Sequence, residues 1–203
     1  MRPTLPPEFI ALHKRNRIMA ALAELTAEKG YEATKISDVV KRAAVARKTL
    51  YDNFSGKEEV FLGAFDAAVE EIASRVEEAC TASEGGWEDA VEAGLEALLA
   101  YVAEEPAMAR LCLIDAQSAT AASTERYERT MQRFIELARQ SLPHEGPLPA
   151  TVDEAVVGGV AHILSQELRR DRAAGAPELL PELREFVVGQ YRTPVKEGAG
   201  KRR

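Results

Sequence analysis

Apolar residues recur along most of this chain with the spacing of an α-helix. Ile18, Ala21, Leu22 and Leu25 follow the order i, i+3, i+4, i+7, which places four side chains on one helical face. Gly30 comes directly after that run and suits the left-handed residue that commonly closes a helix. The spacing therefore predicts a first helix that ends at Gly30.

Two short helices and one long helix are expected next. Thr34 suits the N-cap of the second helix. The apolar stripe of that helix comprises Ile36, Val39, Val40 and Ala43. Residues 44–46 form a short link to a third helix over 47–53, and a fourth helix is expected over 57–82. At ~1.5 Å rise per residue the fourth helix is long enough to join the N-terminal part to the rest of the chain.

Helical spacing continues toward the C-terminal end, and the sequence shows no strand pattern and no internal repeat. Further helices are predicted over 87–105, 107–119, 123–142 and 151–170, with a last helix from about 178 onward. The polar tail, 195–203, is expected to be disordered. The chain is thus predicted to be all-α, with about nine helices.

The third helix has an unusual distribution of side chains. Leu50 and Phe54 give it only a thin apolar stripe. Its other positions carry cations and hydrogen-bonding groups: Arg47, Lys48, Thr49, Tyr51 and Asn53. Two short helices joined by a tight link, the second of them basic, are typical of a helix-turn-helix, here over 35–54. A recognition helix buries one stripe and presents donors to a DNA groove roughly 12 Å wide.

Charge is distributed unevenly between the two parts of the chain. The protein has 203 residues and a net charge of −7, which by itself argues against a nucleic-acid partner. Residues 1–57, however, hold 11 Lys and Arg against 6 Asp and Glu, a net charge of +5, which leaves −12 for the remainder. A basic head on an acidic body indicates two tasks, although chance asymmetry of an exposed surface would look the same.

The sequence lacks the motifs of metal sites, common enzymes and membrane spans. The three histidines, His13, His144 and His162, lack the spacing to Cys, Asp or Glu that a metal site needs. There is no G-x-S-x-G elbow and no P-loop, so we expect neither an enzyme nor a metal or cofactor. No apolar run reaches the roughly 18 residues of a membrane span, and Cys80 and Cys112 read as core thiols of a cytoplasmic protein.

The pattern T-x4-V-x3-A-x-V-x4-LY-x2-F-x2-KE-x-V, from Thr34 to Val60, resembles the signature of the TetR family of transcriptional regulators. The resemblance covers about 50 residues. It implies a homodimer that binds double-stranded operator DNA and a helical C-terminal domain with a small-molecule pocket. It also implies release from DNA when an effector binds, usually relieving repression.

Candidate DNA-contacting residues follow from the motif and the helix together. By resemblance, Thr34 and Tyr51 match phosphate-contacting positions and Lys57 matches the lysine that opens the fourth helix. The set is Thr34, Lys35, Arg47, Lys48, Thr49, Tyr51, Asn53 and Lys57. The cations Lys14, Arg15 and Arg17 on the first helix are expected to add non-specific attraction to the duplex.

The chain departs from the family pattern at the link. Ala44 and Ala46 stand where glycine and serine are common; the first change removes easy access to positive φ and the second an N-cap. Lys48 and Asn53 also replace the usual residue types, which predicts an unfamiliar operator sequence. The alternative is a protein-interaction module whose helix-turn-helix no longer binds DNA.

The predicted domains are a helix-turn-helix domain over 12–72 and an effector-binding and dimerisation domain over 73–194. A small, largely apolar effector is expected. Its pocket is predicted among Trp87, Tyr101, Met108, Leu111, Cys112, Met131, Phe134 and His162, although plain core packing would explain each of them. The dimer interface is predicted at Val156, Gly159, Val160, Ile163, Leu183, Phe186 and Val187, with a fully buried monomer helix as the other interpretation.

Overall fold

The computed structural model of the protein describes residues 7–142, 149 and 151–192. Within these residues it forms nine α-helices and no β-strand, which confirms the predicted all-α class. The helices are α1 Pro7–Lys29, α2 Ile36–Arg42, α3 Arg47–Asn53, α4 Lys57–Ala82, α5 Trp87–Glu104, α6 Pro106–Leu113, α7 Ala121–Ser141, α8 Val152–Arg169 and α9 Leu180–Tyr191. The tail predicted over 195–203 lies outside the described residues.

Helices α1 to α3 and the N-terminal half of α4 pack around one core, and we call this unit the head. Its fully buried side chains include Ile18, Leu22, Val39, Leu50, Val60 and Phe61. Leu50 and Phe54 are 0% and 2% exposed, so the thin apolar stripe of α3 is its attachment to the head. The remaining faces of α3 are left for another partner.

The connection from α1 to α2 confirms one expectation and corrects another. Gly30 has φ +83°, and its N–H donates to the carbonyl of Thr26 at 2.8 Å, the left-handed helix end that its position predicted. The prediction that Thr34 caps α2 was wrong. The N-cap is Lys35, without a side-chain bond, because the Thr34 hydroxyl donates backwards to the carbonyl of Gly30 at 2.9 Å.

The turn of the helix-turn-helix contains an alanine in left-handed backbone. Ala44 has φ +48°, a region that costs a residue with a Cβ roughly 1 kcal/mol or more. The Arg17 guanidinium on α1 donates to the carbonyls of Ala43 and Ala44. These bonds satisfy acceptors that the end of α2 leaves open, and they hold the turn in place although its glycine is missing.

Helices α5 to α9 form the body, together with the C-terminal half of α4. Helix α9 begins at Leu180 after a 3-10 segment, Ala173–Leu179, and Pro181 lies in its first turn, where proline is tolerated. A buried hydrogen bond ties α9 to α8, because the Tyr191 hydroxyl donates to the Asp153 carboxylate at 2.7 Å. Arg139 of α7 approaches the same carboxylate at 3.3 Å, so three helices meet at one acid.

Two helices connect the head with the body. Helix α4 begins in the head and continues without a break to Ala82. Helix α6 packs against both α1 and α4. A change in the body can therefore reach the head through two directly packed elements.

Candidate nucleic-acid interface and ligand cavity

Helix α3 presents its polar residues outward. Arg47 and Lys48 are exposed, and Tyr51 is 48% exposed. The Arg47 guanidinium lies 5.6 Å from the centroid of the Tyr51 ring, and one of its nitrogens is 3.4 Å from the Tyr51 hydroxyl. These two side chains form a joint cationic and aromatic surface one helical turn long, a shape suited to phosphates and base edges.

The head carries further exposed cations. Lys35 and Lys41 of the α2 region are exposed. Among the described residues, Arg42 is neutralised by Glu24 and Glu28 at 2.8 Å, whereas no ion pair forms with Lys35, Lys41, Arg47 or Lys48. Lys41 is not among the DNA-contacting residues predicted from the sequence. Only its place on the side of α2 opposite the buried Val39 could have identified it.

Several predicted DNA-contacting side chains have partners inside the head. Lys57 donates from Nζ to the carbonyl of Tyr31 at 2.9 Å and sits 3.9 Å from the centroid of the Tyr31 ring. The Asn53 amide donates to the carbonyl of Thr49 at 2.7 Å, and both residues are half-buried. Thr34 is 1% exposed, so its hydroxyl does not reach a surface in this conformation.

Two of the three α1 cations are also engaged within the head. Arg15 donates to the carbonyl of Asn53 at 3.2 Å and stacks 4.2 Å from the centroid of the Phe54 ring. Arg17 supports the turn at Ala44, as described above. Both arginines thus fix the end of α2 and the end of α3 against α1, while the expectation that their charge adds general attraction to a duplex stays a prediction.

A cavity of about 290 Å³ lies between α4 and the helices of the body. Its walls come from α4 to α8 and the residue that follows α7. The lining comprises Phe65, Val69, Ile72, Val76, Gly94, Leu95, Leu98, Val102, Ala109, Cys112, Leu113, Tyr127, Thr130, Met131, Phe134, Ala138, Leu142, Val157, Val160, Ala161 and Leu164. Among the described residues, no carboxylate, cation or histidine lines the cavity, so this part of the wall suits a hydrocarbon group.

The few polar atoms on the wall remain neutral. Burial raises the pKa of the Tyr127 hydroxyl and, together with nearby Asp66 and Asp115, the pKa of the Cys112 thiol. Both groups are therefore protonated at neutral pH. With the Thr130 hydroxyl they are the polar side chains on the described wall, and none of them could balance the charge of a buried anion.

The structure brings three of the predicted pocket residues to the cavity, Cys112, Met131 and Phe134. It does not bring Trp87, Tyr101, Met108, Leu111 and His162 there. Tyr101 and Leu111 are 1% and 0% exposed and pack in the core, because they face away from the cavity on their helices. His162 is exposed, which also corrects its interpretation as a buried histidine.

The predicted dimer residues divide into inward and half-buried positions. Val156, Leu183 and Val187 are at most 5% exposed within the single chain, so they belong to its own core. Val160 lines the cavity. A Cβ placed on Gly159 would lie 3.0 Å from the Phe186 ring, so this glycine lets α8 and α9 approach within one chain. Ile163 is half-buried.

The outward face of α8 is made of different residues. Ala155 and His162 are exposed, and Gly158 lies between them. A Cβ placed on Gly158 would meet no atom within 4 Å. This stripe, with open space above Gly158, is accessible to a second molecule.

Two other kinds of site were searched for among the described residues. No three His, Cys, Asp or Glu side chains lie together as the ligands of one metal ion. No helix in the same part of the chain is both long and apolar enough to cross a membrane.

Comparison with known proteins identifies the head. Residues 18–64 match the family model described as "Bacterial regulatory proteins, tetR family". The HTH-type transcriptional activator FasR from Mycolicibacterium smegmatis is 30% identical over 66 residues, which are 32% of this chain and 30% of that protein. The match thus spans less than a third of this curated relative.

Comparison of structures extends the likeness to the body. The fatty acid degradation regulator FadR from Bacillus halodurans superimposes with a TM-score of 0.76 at 16% identity, over 94% of this chain and 99% of that one. FadR from Bacillus subtilis, solved in complex with stearoyl-CoA, gives a TM-score of 0.74 at 16% identity over 87% and 99%. At this identity the likeness is one of fold.

These findings define the class of protein. The head is a helix-turn-helix DNA-binding domain of the tetR type, and the described chain shares the overall fold of the two FadR structures. The resemblance seen in the sequence is thereby confirmed: the chain carries the DNA-binding domain of the TetR family and has the fold of its members.

Proposed function

We propose that the protein is a homodimeric transcriptional regulator that binds operator DNA through α3 and leaves it when an apolar effector fills the body cavity. The observation that carries this proposal is the presence of an exposed cationic α3 and an apolar cavity in one chain, joined by α4 and α6. The alternative, an interaction module without DNA binding, is not favoured, because Lys35, Lys41, Arg47 and Lys48 are exposed and no described acidic residue forms an ion pair with them.

We propose an acyl chain as the effector group. The cavity wall is hydrocarbon apart from two hydroxyls and a thiol, and a buried charge there would have no partner. The B. subtilis protein of the same fold was solved with stearoyl-CoA, and that ligand combines a long alkyl chain with a hydrophilic head. A role as a repressor is the simplest form of the proposal, although one relative is named an activator.

Both heads must act together on DNA in this proposal. A symmetric dimer presents two recognition helices to half-sites about 34–36 Å apart or multiples of that distance. The proposed contact is the outward stripe of α8 around Gly158, together with the neighbouring face of α9. A regulator of this kind would act in the cytoplasm, as the sequence predicted.

The test of DNA binding measures affinity for duplex DNA against salt concentration. Each phosphate contact lowers the slope of log K against log salt by about 0.9. The wild-type protein should show a steep slope, and R47A/K48A should lose most of its affinity and about one to two units of slope. R129A, which removes an exposed cation of α7, is the control and should bind as the wild type does. Equal binding by R47A/K48A would refute the assignment of α3.

The dimer is tested by sedimentation of G158R. The open surroundings of Gly158 predict a folded protein that no longer dimerises, because the new cation would lie inside the contact. G175R is the control, since Gly175 has equally open surroundings and lies outside α8. A dimeric G158R would contradict the proposed contact.

A further inference from the structure

We infer that the cavity opens between α4 and α7, because both helices line it and they touch each other less closely than α4 touches α5. Phe65 and Val69 line the cavity from α4, and Tyr127 and Thr130 line it from α7. The residues next to two of these, Asp66 and Arg126, form an ion pair across the gap. Their side chains are 57% and 32% exposed, so the pair lies on the solvent side of the cavity wall.

A basic edge follows the same side of α7. Arg126, Thr130, Arg133 and Leu137 are spaced i, i+4, i+7, i+11, so they share one stripe of the helix. Arg133 is exposed, and no described residue forms an ion pair with it. Leu137 is 43% exposed, one of few large apolar side chains so exposed in the described chain. An apolar cavity thus opens beside two cations and an exposed leucine.

The charges at this mouth complement the neutrality of the interior. An amphiphile with an anionic head can place its chain among the lining residues, but no described lining residue could neutralise its head. Arg126, next to the lining residue Tyr127, is a cation outside the wall, and it is paired with Asp66. Asp66 is close enough to the cavity to contribute, after burial, to the raised pKa of Cys112.

We propose that Arg126, assisted by Arg133, binds the phosphate-bearing head of an acyl amphiphile at the α4–α7 mouth, and that Asp66 competes with that head for Arg126. This inference rests on the proposed function and assigns the head-group site of the same cavity. When the phosphate binds the Arg126 guanidinium, the Asp66–Arg126 ion pair between α4 and α7 is lost. Because α4 enters the head, the exchange links ligand chemistry to the position of α3.

The experiment compares three probes that share the same palmitoyl chain and differ in their head group. They are palmitoyl-CoA, 1-palmitoyl lysophosphatidate and neutral 1-palmitoylglycerol, each titrated below its critical micelle concentration. Dissociation constants are measured by calorimetry, and DNA release by fluorescence anisotropy. The two charged probes distinguish a nucleotide-linked phosphate from a lipid phosphate. A preference for either one identifies the source, and a shared preference over the neutral probe supports the site.

The D66N variant tests most directly whether Asp66 competes with the anionic head for Arg126. It should tighten binding of the charged probes by about three- to tenfold, since it removes the competitor of an exposed ion pair, and leave the neutral probe unchanged. R126Q should weaken binding of the charged probes by a comparable factor and leave binding of the neutral probe unchanged. R129Q, whose cation pairs with Glu125 along α7, is the matched control and should match the wild type.

The outcomes separate the two proposals. If the neutral probe binds and releases DNA but D66N leaves the charged probes unchanged or weaker, the anion site is refuted and the proposed function stands. The same conclusion follows if R126Q weakens all three probes equally. If no probe binds a protein that still binds DNA, the acyl effector is refuted, and the head-group site with it.

Discussion

The head and the body of this protein are packed in opposite ways. In the head, apolar side chains such as Leu22, Val39 and Leu50 are completely buried, and cations on α1 and α4 fasten the loops through backbone carbonyls. In the body, five helices leave about 290 Å³ between them. A surface that must meet DNA in one geometry is held rigidly, whereas a surface that must admit a ligand is left incomplete.

The difference also explains where the likeness to other proteins lies. The family model ends at residue 64, close to the point where α4 leaves the head. Beyond it, relatives share the helix arrangement at 16% identity. Many apolar side chains can line a cavity equally well, but few sequences can hold a short recognition helix by two buried residues.

The same substitution in the two regions should have different costs. L50A removes a side chain with 0% exposure and should lower the free energy of unfolding by about 2–5 kcal/mol. L98A removes a side chain that already borders the cavity and should cost roughly 1 kcal/mol, because part of its surface has no packing partner to lose. Urea unfolding of both variants measures the difference, and equal costs would show that the cavity is filled in solution.

Filling the cavity should separate stability from regulation. V160F adds volume to a half-buried wall position and should stabilise the protein by about 1 kcal/mol. It should also prevent an acyl ligand from entering, so that DNA binding no longer responds to it. Thermal unfolding and DNA release are the two measurements. A stabilised variant that still responds to ligand would place the effector elsewhere.

The smallest expected effect concerns the strained turn of the head. A44G should raise the free energy of unfolding by about 0.5–1 kcal/mol, because glycine accepts φ +48° without a Cβ clash. A46G is the control, since Ala46 has φ −70° and gains nothing from glycine. Denaturant midpoints measure both variants, and a loss of stability in A44G would show that Ala44 is not strained.

Sequence periodicity was sufficient for most helices and for the core of the head, whereas the helix expected over 107–119 ends at Leu113. The spacing of Ile18, Leu22 and Leu25 placed all three in the core, and Gly30 was recognised because left-handed backbone has a strong residue preference. Thr34 was misjudged, because a threonine can donate back to the preceding turn as well as cap the following one. That choice depends on loop geometry, which no local pattern encodes.

The walls of the cavity were predictable only in part. Cys112, Met131 and Phe134 line it, whereas Tyr101 and Leu111 belong to the packed core. An apolar residue looks the same in the sequence whether it faces a neighbour or a void, since both positions exclude water. The same ambiguity made Val156 and Leu183 resemble a dimer surface. Only the crossing of several helices decides which side is left empty.

Helix α4 has a mechanical consequence. It is one unbroken helix of 26 residues, about 39 Å long, with Lys57 anchored beside Tyr31 at one end and Val76 on the cavity wall near the other. No hinge lies between these ends, so the helix acts as a lever. By simple geometry, a tilt of about 5° moves the far end by roughly 3 Å over this length, which in the proposed dimer would be a large error for two recognition helices on successive turns of one duplex.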